Sequence, residues 1–211
     1  MHAVDSHIGF LGAGAHADEI AEYLPAGSIA FHAVDDAYLQ PANPTLIPIS
    51  TDDLSHIATP VIAAVGAPGL RRELVRRWHG TYYARVIANS AVVSPSASIG
   101  DGSVVMAGAI CSTRVHVGSH VSINIGATVS HDAVLGDYST LSPGVHVAGR
   151  CVIGEGVFLG VGAAVTDGVT IADGAVVGAG AVVIEDITEP GTYVGVPARF
   201  TRQRDGWLRN L

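Results

Sequence analysis

Every sixth residue from Val93 onward is apolar: Val93, Ile99, Val105, Cys111, Val117, Ile123, Val129, Leu135, Leu141, Val147, Ile153, Leu159, Val165, Ile171, Val177 and Val183. Against a hydrophobic content of 48%, a run this long arises by chance less than about once in 10,000, even after trying every register of the period. Two positions before each of these stands Ala, Ser, Val or Cys, from Ala91 to Ala181. Glycine follows the apolar residue at Gly100, Gly118, Gly136 and Gly154, every eighteenth position.

A period of six matches neither a helix, at about 3.6 residues per turn, nor an alternating strand, at about 2. It suits a short strand plus a corner, three of which close a triangular coil. The aliphatic residue of each hexad points inward, the small residue fits beside it, and stacked coils bury one continuous core. Aromatics make up only 6% of the chain, so Val, Ile, Leu and Ala must fill that interior. The pattern runs without insertion from about Ile87 to Val183 and fails at Glu189-Pro190-Gly191, where the coil is expected to stop.

The first third of the chain reads differently. His7 to Leu11 forms a buried strand running into Gly12-Ala13-Gly14-Ala15-His16-Ala17, a G-x-G-x-x-A turn that opens a helix over 17–24. A second strand over 29–34 ends in Asp35-Asp36, and a third over 61–65 ends at Gly66. An arginine-rich helix is expected over 70–79. Glycines without side chains let a phosphate approach the backbone, and an acid after the second strand can hold a ribose or base edge. The same turn also serves as a tight strand-to-helix connection with no ligand. The chain lacks the second mononucleotide half of a full dinucleotide fold, which argues against NAD.

The 211 residues carry a net charge of −8, which argues against affinity for nucleic acid or anionic membranes. No apolar run approaches the ~18 residues of a membrane span. Met1 to Asp5 lacks a basic region before an apolar stretch, so no secretory leader is expected. Two cysteines, Cys111 and Cys151, make no disulfide scaffold, and the expected location is the cytoplasm.

The hexads, together with Gly195-Val196-Pro197-Ala198-Arg199 at their end, resemble the left-handed parallel β-helix of the hexapeptide-repeat acyltransferases. A small domain with Gly-Ala-Gly-x-His-Ala before an uninterrupted β-helix is similar to the sialic acid O-acetyltransferase and bacillosamine-type nucleotide-amino-sugar N-acetyltransferase family. The resemblance implies an α/β plus all-β chain: a Rossmann-like βαβαβ nucleotide-sugar domain over 1–84, a left-handed parallel β-helix over 85–199, and a C-terminal tail over 200–211. It further implies acetyl-CoA as co-substrate, a nucleotide-sugar acceptor and a homotrimer with active sites between subunits.

By the same match His131 is the general base and Asp132 orients it, at a position where most members carry Glu. Gly149, eighteen residues on, offers a backbone N–H to the thioester oxygen. Coenzyme A contacts fall on Gly149, Val161, Gly162, Gly178, Ala179 and Arg199, with Arg202 and Arg204 as further partners for its phosphates. The acceptor nucleotide falls on Gly12, Ala13, Gly14, His16, Asp35, Asp36 and Gly66. Two positions depart from the family: Thr140 stands where some relatives have a second histidine, and Ala67-Pro68 replaces polar residues after Gly66. The nucleotide therefore stays open between UDP, dTDP and GDP.

Cys151 falls in the small, packed series, which disfavours an acyl-cysteine intermediate and favours direct transfer. His146 should point outward as a surface or subunit contact. His116, His120, His131 and His146 do not reproduce the histidine trio of the zinc carbonic anhydrases built on this helix, and no metal is expected. The reading is an acetyl-CoA-dependent acetyltransferase acting on the amine of a 4-amino-4,6-dideoxy sugar nucleotide. Acetylation of a sialic acid or other sugar hydroxyl remains an alternative, as does a non-catalytic trimeric scaffold that binds nucleotide sugars. One base serves amine and hydroxyl alike.

Overall fold

The computed structural model describes residues 7–210; Met1 to Asp5, read above for a leader, lies outside the described residues. Four parallel strands, β1 (Ile8–Leu11), β2 (Ile29–Val34), β3 (Leu46–Pro48) and β4 (Val61–Ala63), form a sheet in the order β3-β2-β1-β4. Helices α1 (Ala15–Ala21), α2 (Leu54–Ile57) and α3 (Pro68–Arg77) connect and flank them. The chain moves outward from β1 to β3, then returns to the other side of β1 as β4. That reversal places the turns after β1 and β4, which carry Gly12–Gly14 and Gly66, side by side at the topological switch point.

Three strands were expected and four are found. β3 is three residues long and ends in Pro48, which is tolerated because the strand lies at the sheet edge. The helices also begin earlier than periodicity suggests. Ala15 follows Gly14 directly into α1, and Pro68 occupies the first turn of α3, where its missing N–H has no partner to lose.

From Val86–Ile87 to Val182–Val183, two-residue strands alternate among three parallel sheets. Each pairs with the strand eighteen residues on, so Val93, Cys111, Val129, Val147, Val165 and Val183 form one inner column. Val105, Ile123, Leu141, Leu159 and Val177 form another and are 0% exposed. Each such side chain contributes about 1.5–3 kcal/mol on burial.

The corners follow a second period of six. From Gly102 to Gly180 every sixth residue has φ between 56° and 74°. Glycine takes this left-handed conformation freely, whereas an L side chain there costs roughly 1–2 kcal/mol. Five members of the series are nonetheless not glycine: Arg114, His120, Asp132, Tyr138 and Arg150. One corner is all glycine (Gly108, Gly126, Gly144, Gly162, Gly180); the second carries Arg114, Asp132, Arg150 and Gly168; the third carries Gly102, His120, Tyr138, Gly156 and Gly174. The side chains retained at the second and third corners each make a specific contact: Arg114 with Asp132, Arg150 with Asp167 and His120 with Tyr138.

The coil does not end at Glu189-Pro190-Gly191. Past Val183 the register shortens from eighteen to sixteen, with Ile187 opposite Ile171 and Thr192 opposite Val176. Strand Arg199–Arg202 then folds back antiparallel on Thr192–Val194 and closes that sheet. The residues beyond are not a solvated tail. Leu208 O accepts from Gly69 N at 2.7 Å. The Trp207 ring lies against Gly156 and Gly174 at the third corner, where neither has room for a Cβ, and Arg72 caps the ring at 3.8 Å.

The two parts of the chain share a core. Ile8, Phe10, Ile20 and Ile62 of the α/β part pack in one apolar cluster with Val86, Val104 and Met106 of the β-helix. Above it lies Arg71, only 2% exposed. Its guanidinium donates to the carbonyls of Val65 (2.7 Å), Gly66 (3.1 Å), His120 (2.8 Å), Tyr138 (2.7 Å) and Ser139 (3.0 Å), and to Thr140 Oγ1 (2.7 Å). Burial lowers its pKa to about 9, which still leaves it charged near neutral pH.

Candidate active site

His131 stands at the second corner. Its Nδ1 lies 2.8 Å from Asp132 Oδ2, and Asp132 also receives both Arg114 Nε (2.6 Å, on Oδ1) and a terminal Arg114 nitrogen (2.9 Å, on Oδ2). The Arg114 guanidinium first, and His131 second, hold the Asp132 carboxyl well below the usual carboxylate range. An ionised carboxylate can only accept. His131 Nδ1 therefore carries the hydrogen, and in the neutral ring the lone pair sits on Nε2.

Gly149 lies one coil on. A Cβ at that position would come within 2.7 Å of His131 Cε1, 2.8 Å of His131 Nε2 and 2.8 Å of Asp167 Oδ1. Any side chain there would displace the imidazole. Among the described residues the Gly149 N–H has no hydrogen-bond acceptor, while its carbonyl accepts from Gly168 N at 2.8 Å. A base with a free lone pair and an unengaged backbone donor thus meet at one corner, the pair needed for acyl transfer.

The residues expected to hold a nucleotide gather elsewhere. Gly12 turns at φ 108°, Ala13 and Gly14 are exposed, and Gly14 caps α1. His16 reaches the β-helix, with Nε2 3.4 Å from Ser122 Oγ; burial first, and Arg71 second, lower its pKa. The Gly66 carbonyl accepts from Thr140 Oγ1 at 2.8 Å. Asp35 is ion-paired with Arg77, and Asp36 opens the short turn Asp36–Tyr38. A ligand reaching for the Asp35 carboxylate would meet it already paired.

These contacts fix where the two groups of residues lie. Ser122 and Thr140 belong to one face of the triangular coil, bounded by the all-glycine corner and the His120–Tyr138 corner. The remaining corner, the second, lies opposite that face and is the one carrying His131. Within a single chain the Gly12–Gly14 turn and His131 therefore occupy opposite sides of the prism.

Of the expected coenzyme A contacts, Val161, Gly162 and Ala179 are exposed along the all-glycine corner. Gly178 is engaged internally: its N–H donates to Tyr193 O at 2.8 Å, and a Cβ would lie 2.7 Å from Val194 Cγ1. Arg199 is exposed, with Glu185 at 3.9 Å and Ala198 O at 3.0 Å, and Arg202 Nε lies 3.4 Å from Thr192 Oγ1. Arg204 is partly buried. Cys151 is fully buried and burial raises its thiol pKa, the opposite of what a nucleophile needs. His146 is exposed, its Nδ1 2.9 Å from Thr128 Oγ1. Among the described residues no three His, Cys, Asp or Glu converge on a metal position, and no helix is long and apolar enough to cross a membrane.

Arg114, Arg71 and Trp207 were not singled out from sequence. Arg114 carried a readable signal, since it interrupts the six-residue glycine series. Arg71 and Trp207 carried none.

A β-helix with a histidine–carboxylate pair at one corner and an α/β domain on the opposite face defines a class, the two-domain hexapeptide acetyltransferases, and the comparisons agree. The family model for the bacterial transferase hexapeptide (six repeats) matches residues 150–185. Among curated proteins, none matches the chain. Among solved structures, the acetyltransferase domain of PglB from Neisseria gonorrhoeae is 33% identical with a TM-score of 0.82, covering 93% of this chain and 100% of its own; it has also been solved with acetyl coenzyme A. PerB from Caulobacter crescentus, solved with CoA and GDP-perosamine, is 36% identical with a TM-score of 0.81, covering 93% and 98%. WeeI from Acinetobacter baumannii is 26% identical with a TM-score of 0.79, covering 93% and 100%. The chain belongs to this family of left-handed β-helix, CoA-dependent nucleotide-amino-sugar N-acetyltransferases.

Proposed function

We propose that the chain moves an acetyl group from acetyl-CoA to the amine of a nucleotide-linked amino sugar of the 4-amino-4,6-dideoxy type, by direct transfer in the cytoplasm. The acceptor of PerB, GDP-perosamine, is the nearest chemical guide. The observation that carries the reading is the meeting of His131, held through Nδ1 by Asp132 at 2.8 Å, with the unsubstituted backbone of Gly149.

In this mechanism the amine nitrogen attacks the thioester carbonyl carbon as His131 Nε2 takes its proton. The Gly149 N–H donates to the resulting oxyanion. Collapse of the tetrahedral species breaks the C–S bond, and the proton on His131 passes to the departing sulfur. Asp132 keeps the imidazole in the required tautomer throughout.

Residues 1–84 would bind the acceptor through Gly12, Ala13, Gly14, His16, Asp36 and Gly66, with Asp35 released from Arg77 as needed. Residues 85–199 would bind acetyl-CoA along Val161, Gly162, Ala179 and Arg199. Because the nucleotide turn and His131 lie on opposite sides of one prism, the amine must reach the His131 of a neighbouring copy. A homotrimer with three shared sites satisfies this geometry.

The test is thiol release from acetyl-CoA with a panel of nucleotide-linked amino sugars, free sialic acid and a blank without acceptor. Release that requires one amino sugar and falls by about 10²-fold or more in His131→Ala supports the reading. Release with sialic acid alone would transfer it to O-acetylation. Light scattering of the intact protein at three times the chain mass is expected for the assembly, and a monodisperse active monomer would sink the shared-site arrangement.

A further inference from the structure

The carboxylate that orients His131 is not dedicated to it. Arg114, one coil earlier in the same corner column, grips both oxygens of Asp132 at 2.6 and 2.9 Å, and the Oδ2 it shares is the oxygen that accepts from His131 Nδ1 at 2.8 Å. Arg114 keeps this place at φ 56°, a left-handed backbone position that most equivalent corners fill with glycine. On the other side of the imidazole the next coil brings Arg150, ion-paired to Asp167, whose Oδ1 crowds Gly149 beside the ring. The charged groups facing His131 are thus Asp132 and Arg114 from one side and Asp167 and Arg150 from the other. Their formal charges sum to zero.

A bare carboxylate against an imidazole has two effects. It fixes the ring, and its charge favours the protonated form, which cannot act as a base. An arginine fork on the same carboxylate keeps the first effect and opposes the second. The fork also sets the carboxylate plane, because a guanidinium meets both oxygens in one geometry.

We propose that Arg114 is a positioning residue for acetyl transfer: it aligns Asp132 on His131 Nδ1–H and cancels the carboxylate charge, so that Asp132 orients the base without holding it protonated. The proposal rests on the reading of His131 as general base. It assigns to Arg114 no contact with either substrate.

The experiment pairs two readouts on the intact protein. One is the pH profile of kcat/KM with the accepted amino sugar. The other is an NMR titration of the His131 imidazole in the absence of substrates, its resonance identified by its loss in His131→Gln. Arg114→Gln should move the acid limb and the NMR midpoint to higher pH together, by roughly half a pH unit or more. Asp132→Asn should move both the other way. Arg114→Lys, which keeps the charge and loses the fork, should leave the midpoint near that of the parent while lowering kcat several-fold. Superimposable titrations of Arg114→Gln and parent would overturn the proposal, as would identical behaviour of the Gln and Lys variants. The NMR arm needs no turnover. A wrong acceptor assignment would therefore appear as absent activity with the titration shifts intact, and a wrong role for Arg114 as activity with unshifted titrations.

Discussion

Arg71 donates to Thr140 Oγ1 at 2.7 Å, and Thr140 passes the contact on by donating to the Gly66 carbonyl at 2.8 Å. Thr140 stands where the sequence resemblance leads to the expectation of a histidine. Here it is 2% exposed and ties the switch-point loop of the α/β domain to the β-helix.

Arg71→Met should be strongly destabilising. It leaves five carbonyls without the donor that now serves them, at an expected loss on the order of 3–5 kcal/mol. Thermal unfolding should show a fall in Tm on the order of 10 °C. A Tm within a degree or two of the parent would show that water replaces the guanidinium without loss.

Gly149→Ala should act on turnover more than on folding. The new methyl would press on the His131 ring and Asp167 and turn the base away from its line of attack. A fall in kcat of about tenfold or more is expected with Tm little changed. Unaltered kcat would mean that the ring tolerates the displacement.

Trp207 covers Gly156 and Gly174 and stacks under Arg72, while its neighbour Leu208 bonds Gly69 at the start of α3. Trp207→Ala should lower Tm and, if the α/β domain binds the acceptor as proposed, raise KM for the acceptor more than KM for acetyl-CoA, since the strap holds that domain. Equal changes in both KM values would contradict that role.

His120 should make stability fall on acidification. Burial first, and the Arg71 charge second, lower its pKa from 6.5 to about 4 in the folded protein. Between those values the unfolded chain binds a proton that the folded chain refuses. Its contribution is complete above pH 6.5 and is lost as the pH drops toward about 4. His16, shifted the same way, adds to the effect. Urea unfolding at pH 7 and pH 5 should show the loss. His120→Asn, chosen because Asn tolerates the local φ of 57°, should reduce the pH dependence. An equal slope in both proteins would place the titration elsewhere.

Much of the fold was legible because the β-helix is a repeat, and each hexad reports on itself. The inward column from Val93 to Val183 identified the coil, and His131, Asp132 and Gly149 came together as the eighteen-residue spacing required. A second pattern is equally legible: the series from Gly102 to Gly180, whose five exceptions are Asp132 beside His131, its partner Arg114, Arg150 paired with Asp167, and the His120–Tyr138 stack at the domain junction. β3 was harder to read, since three residues before a proline give no periodicity.

The amino-acid order alone determined the coil, its eighteen-residue repeat and the corner at which a histidine, an acid and a glycine meet. Those features depend on contacts at a constant spacing, so local pattern and tertiary position coincide. Tertiary structure alone decided that Arg71 is buried, that Trp207 straps the α/β domain, and that the Gly12–Gly14 turn lies across the prism from His131. These depend on how a non-repeating domain docks on a repeating one. Docking is set by shape and by buried hydrogen-bond satisfaction between distant segments, for which a linear sequence holds no period to read.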